Sequence, residues 1–89
     1  MHPNLGILSK NIHIYADNEN DKIVINTKQD ITIKKVELYN ILGEKVSNWN
    51  IKEQKNSYQL NISKKIPTGV YIVKLNTNKG HSNKKIIIE

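Results

Sequence analysis

The sequence predicts an all-β chain, on three observations. Apolar residues alternate with polar ones at the period of a strand. The runs are separated by turn residues at roughly 8–12 residue spacing. No segment carries an apolar stripe at i, i+3, i+4, i+7.

The elements follow in order. Ile12 and Ile14 flank His13 in a first strand over about residues 11–16. Asp17-Asn18-Glu19-Asn20-Asp21 is a polar, turn-prone stretch. Ile23, Val24 and Ile25 define a second strand over about 22–27. Ile31 and Ile33, then Val36 and Leu38 around Glu37, mark a third over about 32–40. Leu42-Gly43-Glu44 is the turn of a hairpin into a fourth strand over about 45–51, with Gly43 free to take a positive φ. Tyr58, Leu60 and Ile62 alternate cleanly with polar residues in a fifth strand over about 57–63. Pro67-Thr68-Gly69 is a turn that releases the chain into a sixth over about 70–77, where Tyr71, Val73 and Leu75 share a face. Asn78-Lys79-Gly80 turns into a last strand over about 82–88, ending in Ile86, Ile87 and Ile88. Seven short strands in this pattern make a sandwich or a barrel.

The alternation assigns a core of Ile14, Ile23, Ile25, Val36, Leu38, Leu42, Val46, Tyr58, Leu60, Ile62, Ile66, Tyr71, Val73, Leu75 and Ile86. Tyr71 stands at the corner entering the sixth strand, where immunoglobulin-like sandwiches place a tyrosine whose hydroxyl bonds nearby backbone. Residues 1–10 show no pattern and read as a linker or an expression remnant, so the domain is expected over 11–89.

The 89 residues amount to one small domain. Without cysteine there is no disulfide, thiol nucleophile or Cys zinc site. No apolar run approaches the about 20 residues of a spanning helix. The first residues, Met1-His2-Pro3-Asn4, do not resemble a signal peptide, so a role outside the cytoplasm implies that the chain is part of something longer. All 14 basic residues are lysine and the net charge is +6. Thirteen Asn and fifteen Ile accompany them, a composition that A/T-rich codons also produce. Base-specific nucleic-acid readout favours arginine, which argues against a sequence-specific partner of that kind.

Chemistry finds little support. His2, His13 and His81 have no i, i+4 spacing and no acidic cluster beside them. Asp17, Glu19 and Asp21 alternate in one loop but lack the glycine and closing glutamate of a calcium loop. The serines show no nucleophile elbow. No catalytic residue, cofactor or metal ligand is assigned. The doublets Lys34-Lys35, Lys64-Lys65 and Lys84-Lys85 are each split across two strand faces by the alternation. Trp49, Tyr39 and Tyr15 are the only candidates for a sugar-stacking platform, which would make the chain a carbohydrate-binding or adhesin sandwich.

Four stretches together resemble one family. Ile14-Tyr15-Ala16-Asp17-Asn18-Glu19-Asn20-Asp21-Lys22-Ile23-Val24-Ile25 resembles the opening of the C-terminal sorting domain of the type IX (Por) secretion system. Val36 to Val46 is similar to that family's central hairpin, with Gly43 at its turn. Ile66-Pro67-Thr68-Gly69-Val70-Tyr71 resembles its leucine-x-x-glycine-x-tyrosine motif, and Lys84-Lys85-Ile86-Ile87-Ile88-Glu89 its ending. The likeness covers about residues 12–89 in order. The family usually opens tyrosine-proline-asparagine-proline; here Ala16 and Asn18 replace both prolines and Asp17 the asparagine, so φ is no longer locked in that loop.

The resemblance implies an immunoglobulin-like β-sandwich of about seven antiparallel strands. It implies a non-catalytic address that sends an upstream cargo domain through the outer membrane of a Gram-negative bacterium to the cell surface or the medium. The partners implied are the type IX translocon and a sortase-like protease that removes the domain. Recognition is expected at Gly69, Tyr71, Lys84, Lys85, Ile86, Ile87, Ile88 and Glu89, with Gly43, Ile66 and Pro67 as structural landmarks. A final strand with one bare edge also invites pairing with another strand, so a monomer or a strand-exchanged homodimer is expected.

Overall fold

The computed structural model describes residues 11–28 and 30–89. Among these, seven strands follow one another: β1 (Ile12–Asp17), β2 (Lys22–Thr27), β3 (Ile33–Asn40), β4 (Lys45–Asn50), β5 (Ser57–Asn61), β6 (Gly69–Thr77) and β7 (Gly80–Ile88). Every expected strand is present, with ends within about two residues of those read from periodicity. The reading of residues 1–10 as a linker lies outside the described residues.

The strands form two antiparallel sheets, β1-β2-β5 and β4-β3-β6-β7. The chain crosses between them after β2, β4 and β5. The first sheet matches strands A, B and E of an immunoglobulin-like sandwich, and β3, β6 and β7 match C, F and G. β4 pairs with β3, so it joins the second sheet.

One face of each sheet is apolar because alternate residues share a face, and the two apolar faces meet. Ile12, Ile14, Ile23, Ile25, Tyr58 and Leu60 come from the first sheet. Ile33, Val36, Leu38, Tyr71, Val73, Leu75, Ile86 and Ile88 come from the second, and Ile31 and Ile62 enter from the connections. Val24 is buried on the opposite face of β2, between its cross-strand neighbours Tyr15 and Gln59.

Three expected core members are placed differently. Leu42 is 80% exposed, because it stands at the tip of the β3–β4 turn, beyond both sheets. Val46 is 39% exposed. Leu38 pairs with Ser47 and Tyr39 with Lys45, so Val46 is the extra residue of a β-bulge. The bulge leaves Ser47 and Trp49 opposite the buried Leu38 and Val36. Trp49 is accordingly half-buried against the core, as is Ile51. Ile66 is also only half-buried and packs on the core from its loop. Ile12, Ile31, Ile33 and Ile88 complete the core without having been assigned to it.

The corner before β6 is held by Tyr71, whose hydroxyl donates to the Pro67 carbonyl at 2.6 Å. The ring is buried while its hydroxyl reaches the turn. Tyr71→Phe keeps the ring and removes only this bond. The Pro67 carbonyl lies in an exposed residue and regains water, so the expected loss is about 1 kcal/mol. A denaturant melt that leaves the midpoint unchanged would show that the corner does not depend on the hydroxyl.

Candidate functional site

The site is built from the last strand upward. β7 pairs with β6 over nine residues in unbroken register, from Thr77↔Gly80 to Gly69↔Ile88. It has no second partner, so it is an edge. Ile86 and Ile88 point into the core and Ile87, 60% exposed, points out. Lys84 shares the parity of Ile86 and Ile88 yet is exposed; Lys85 is exposed on the other face. The two lysines lie within β7 rather than at its start, because the strand begins at Gly80.

The pairing brings the candidate residues together. Tyr71 lies opposite Ile86, and Gly69 opposite Ile88. The turn Ile66–Thr68 therefore abuts the end of β7. Gly69 takes φ +153°, a conformation glycine adopts without cost. The β3–β4 tip is at the same end of the sandwich, since Asn40 pairs with Tyr71. Gly43 takes φ +85° there. Asn40 Oδ1 accepts from the Leu42 and Glu44 amides, each at 3.0 Å.

Asn18 completes the site, and the sequence did not single it out for this. Its Nδ2 donates to the Ile87 carbonyl at 3.1 Å, and its Oδ1 accepts from the Glu89 amide at 2.9 Å. The β1–β2 loop is thus pinned to the end of β7 by the residue that stands where the resembled family has a proline. The only sequence signal is an asparagine in a turn, and its partners lie about seventy residues away. The same loop is tied by Asn20, whose Nδ2 donates to Asp17 Oδ2 at 2.9 Å.

β1 runs beside β7, and between them lies a groove. One part, about 500 Å³, is lined by Ile14, Tyr15, Ala16, Val70 and Lys84 to Ile87. A second, about 420 Å³, continues it past His13, Ser82 and Asn83. Tyr15 and Val70, 51% and 38% exposed, give the groove an apolar rim.

Other candidates are dispersed. Among the described residues no three His, Cys, Asp or Glu side chains come together as a metal site. Tyr15 and Tyr39 sit on different sheets and Trp49 faces the core, so no aromatic platform forms. Tyr39 instead lies under Lys74, whose Nζ is 4.5 Å from the ring centroid. Beside it, burial pulls the Glu37 carboxyl upward. A hydrogen bond from Lys45, the charges of Lys35 and Lys45, and the Tyr39 hydroxyl outweigh that and hold it below the ordinary carboxylate value. No helix among the described residues is long and apolar enough to cross a membrane.

The family model described as the secretion system C-terminal sorting domain matches residues 13–89. The chain belongs to this family. It is a C-terminal sorting signal of type IX secretion, a domain that engages the secretion system and marks a protein for export across the outer membrane. No curated protein matches the chain. The match includes both the Pro67–Tyr71 corner and the whole of β7.

Proposed function

We propose that the sorting domain is read as a folded unit through β7 and the corner that braces it, with Gly69, Tyr71, Lys84, Lys85, Ile86, Ile87, Ile88 and Glu89 as the recognised set. The observation that carries this is the register in which Tyr71 opposes Ile86 and Gly69 opposes Ile88. The corner motif of β6 and the end of β7 thus lie side by side at one end of the sandwich. In this reading Lys84 and Lys85 make contacts with the translocon. Ile87 supplies exposed apolar area, while Ile86 and Ile88 hold the strand in the core.

The domain acts as a non-catalytic address. Its cargo precedes it in the chain, is carried to the cell surface or the medium, and is separated from it by a sortase-like protease. The carbohydrate-binding reading loses its support, because Tyr15, Tyr39 and Trp49 share no face.

Changing Lys84 and Lys85 together to Gln tests the recognised set. Both lysines are exposed, so stability should stay within about 0.5 kcal/mol of the parent. Export of a fused reporter should fall. A folded double variant with undiminished export would remove the lysines from the recognised set.

A further inference from the structure

We propose that the free edge of β7 binds, by strand addition, an extended segment of a partner protein in which acidic and apolar residues alternate. The proposal deepens the reading of β7 as the recognised surface, and it is tested by binding alone.

The edge is suited to addition. β7 is nine residues long, regular and without a bulge. The opposite edge of the same sheet, β4, carries the Val46 bulge, and β5 is only five residues long. A long regular edge with an exposed isoleucine is the kind that templates another strand.

The molecule already shows how the edge is used. The Asn18 amide takes the Ile87 carbonyl and the Glu89 amide together, a carbonyl and an N–H two residues on. A residue of an adjacent parallel strand engages this same pair. Asn18 is thus a peptide surrogate that occupies the last position of the edge. Because successive residues turn their polar groups to opposite sides, Lys85 and Asn83 present theirs on this same free side. The stretch open to a partner runs back from Ile87, with Asn18 as its stop.

Charge and polarity select the occupant. The groove lining contains Lys84 and Lys85 and no carboxylate. Ion pairs among the described residues use Lys35, Lys45 and Lys55, so Lys84 and Lys85 have no acidic partner there. The hollow across the molecule, between β4 and β5, differs: its Glu53 and Lys55 pair with each other at 3.2 Å. In an added strand, one set of alternate side chains faces Ile14, Ala16 and the aliphatic stem of Lys84; the other lies beside Lys85 and Ile87. Apolar residues fit the first set, and carboxylates in the second reach Lys85. A second copy of this chain would bring its own Lys84 and Lys85 against these, which like-charge repulsion opposes.

The probe is a synthetic decapeptide alternating valine and glutamate, titrated into the full chain and followed by amide NMR and hydrogen exchange. The expected result is saturable binding with new protection at the Asn83, Lys85 and Ile87 amides. Affinity should fall about threefold in the Lys85→Gln variant, one charge pair being lost, and change little in Lys84→Gln. A peptide N-methylated on its pairing side should not bind, and this control leaves the protein unaltered. The proposal is overturned by no binding, by undiminished binding of the N-methylated peptide, or by perturbation centred on β4 or β5. Protection of the same three amides by self-association without peptide would also overturn it, since the occupant would then be another copy. Undiminished export of the folded Lys84→Gln, Lys85→Gln fusion, with its peptide binding weakened, would instead contradict the recognition reading and leave strand addition standing.

Discussion

Leu38→Ala should destabilise the domain by about 2–5 kcal/mol, the cost of deleting a buried leucine and leaving a cavity. Leu38 is fully buried in β3, between Ser47 of β4 and Val73 of β6, and its side chain crosses to the other sheet. A strand flanked on both sides has little room to collapse into the space. A small domain has only about 5–15 kcal/mol in all, so this one change removes a large share of it. Val46→Ala is the matched comparison: the side chain is 39% exposed in a bulge and should cost well under 1 kcal/mol. Thermal or urea melts of the two variants check this. Equal midpoints would mean that the sandwich is not packed about the β3–β6 pair.

Gly69→Val should lose about 1–3 kcal/mol through backbone strain. The cause is conformational rather than steric. At φ +153° a Cβ meets only the Tyr71 ring edge, at 3.8 Å, an ordinary contact. A β-branched residue nevertheless resists this backbone, and relaxing it would pull Gly69 out of register with Ile88. The variant should therefore lose stability and export together, whereas the double lysine variant loses export alone. A Gly69→Val protein that melts like its parent would show that the corner tolerates an ordinary residue.

The contrast between Leu38 and Val46 shows what periodicity reveals. In β5 and β6 the alternation is unbroken, and Tyr58, Leu60, Tyr71, Val73 and Leu75 are all buried as it requires. In β4 one inserted residue changes which parity faces inward, and a bulge leaves no mark in the composition of the strand. Leu42 differs for another reason: it belongs to the Leu42-Gly43-Glu44 turn itself, where the alternation of a strand no longer decides which side chains face the core. Ile31 lies in the connection before β3 and Ile88 is the last residue of β7, positions where alternation has too few residues to fix a face.

The site was legible in part. The corner tyrosine and the terminal strand were readable as local motifs, and their juxtaposition followed once β6 paired with β7. The role of Asn18 was not readable, since an asparagine in a turn ordinarily bonds its own loop. Only the parallel approach of β1 and β7 gives it the Ile87 carbonyl and the Glu89 amide. Where the resembled opening stiffens its turn with proline, this loop is tied by hydrogen bonds to the strand it flanks.

The most direct test of the chain as an export signal is a fusion. Residues 1–89 are joined to the C-terminal end of a reporter that enters the periplasm by its own leader. The fusion is expressed in a bacterium with a type IX system and in its translocon-deficient mutant, and the reporter is quantified outside the cell and in the periplasm. The account predicts reporter at the surface or in the medium of the competent strain and retention in the mutant. Retention of a folded, intact fusion in both strains, or equal release from both, would contradict it.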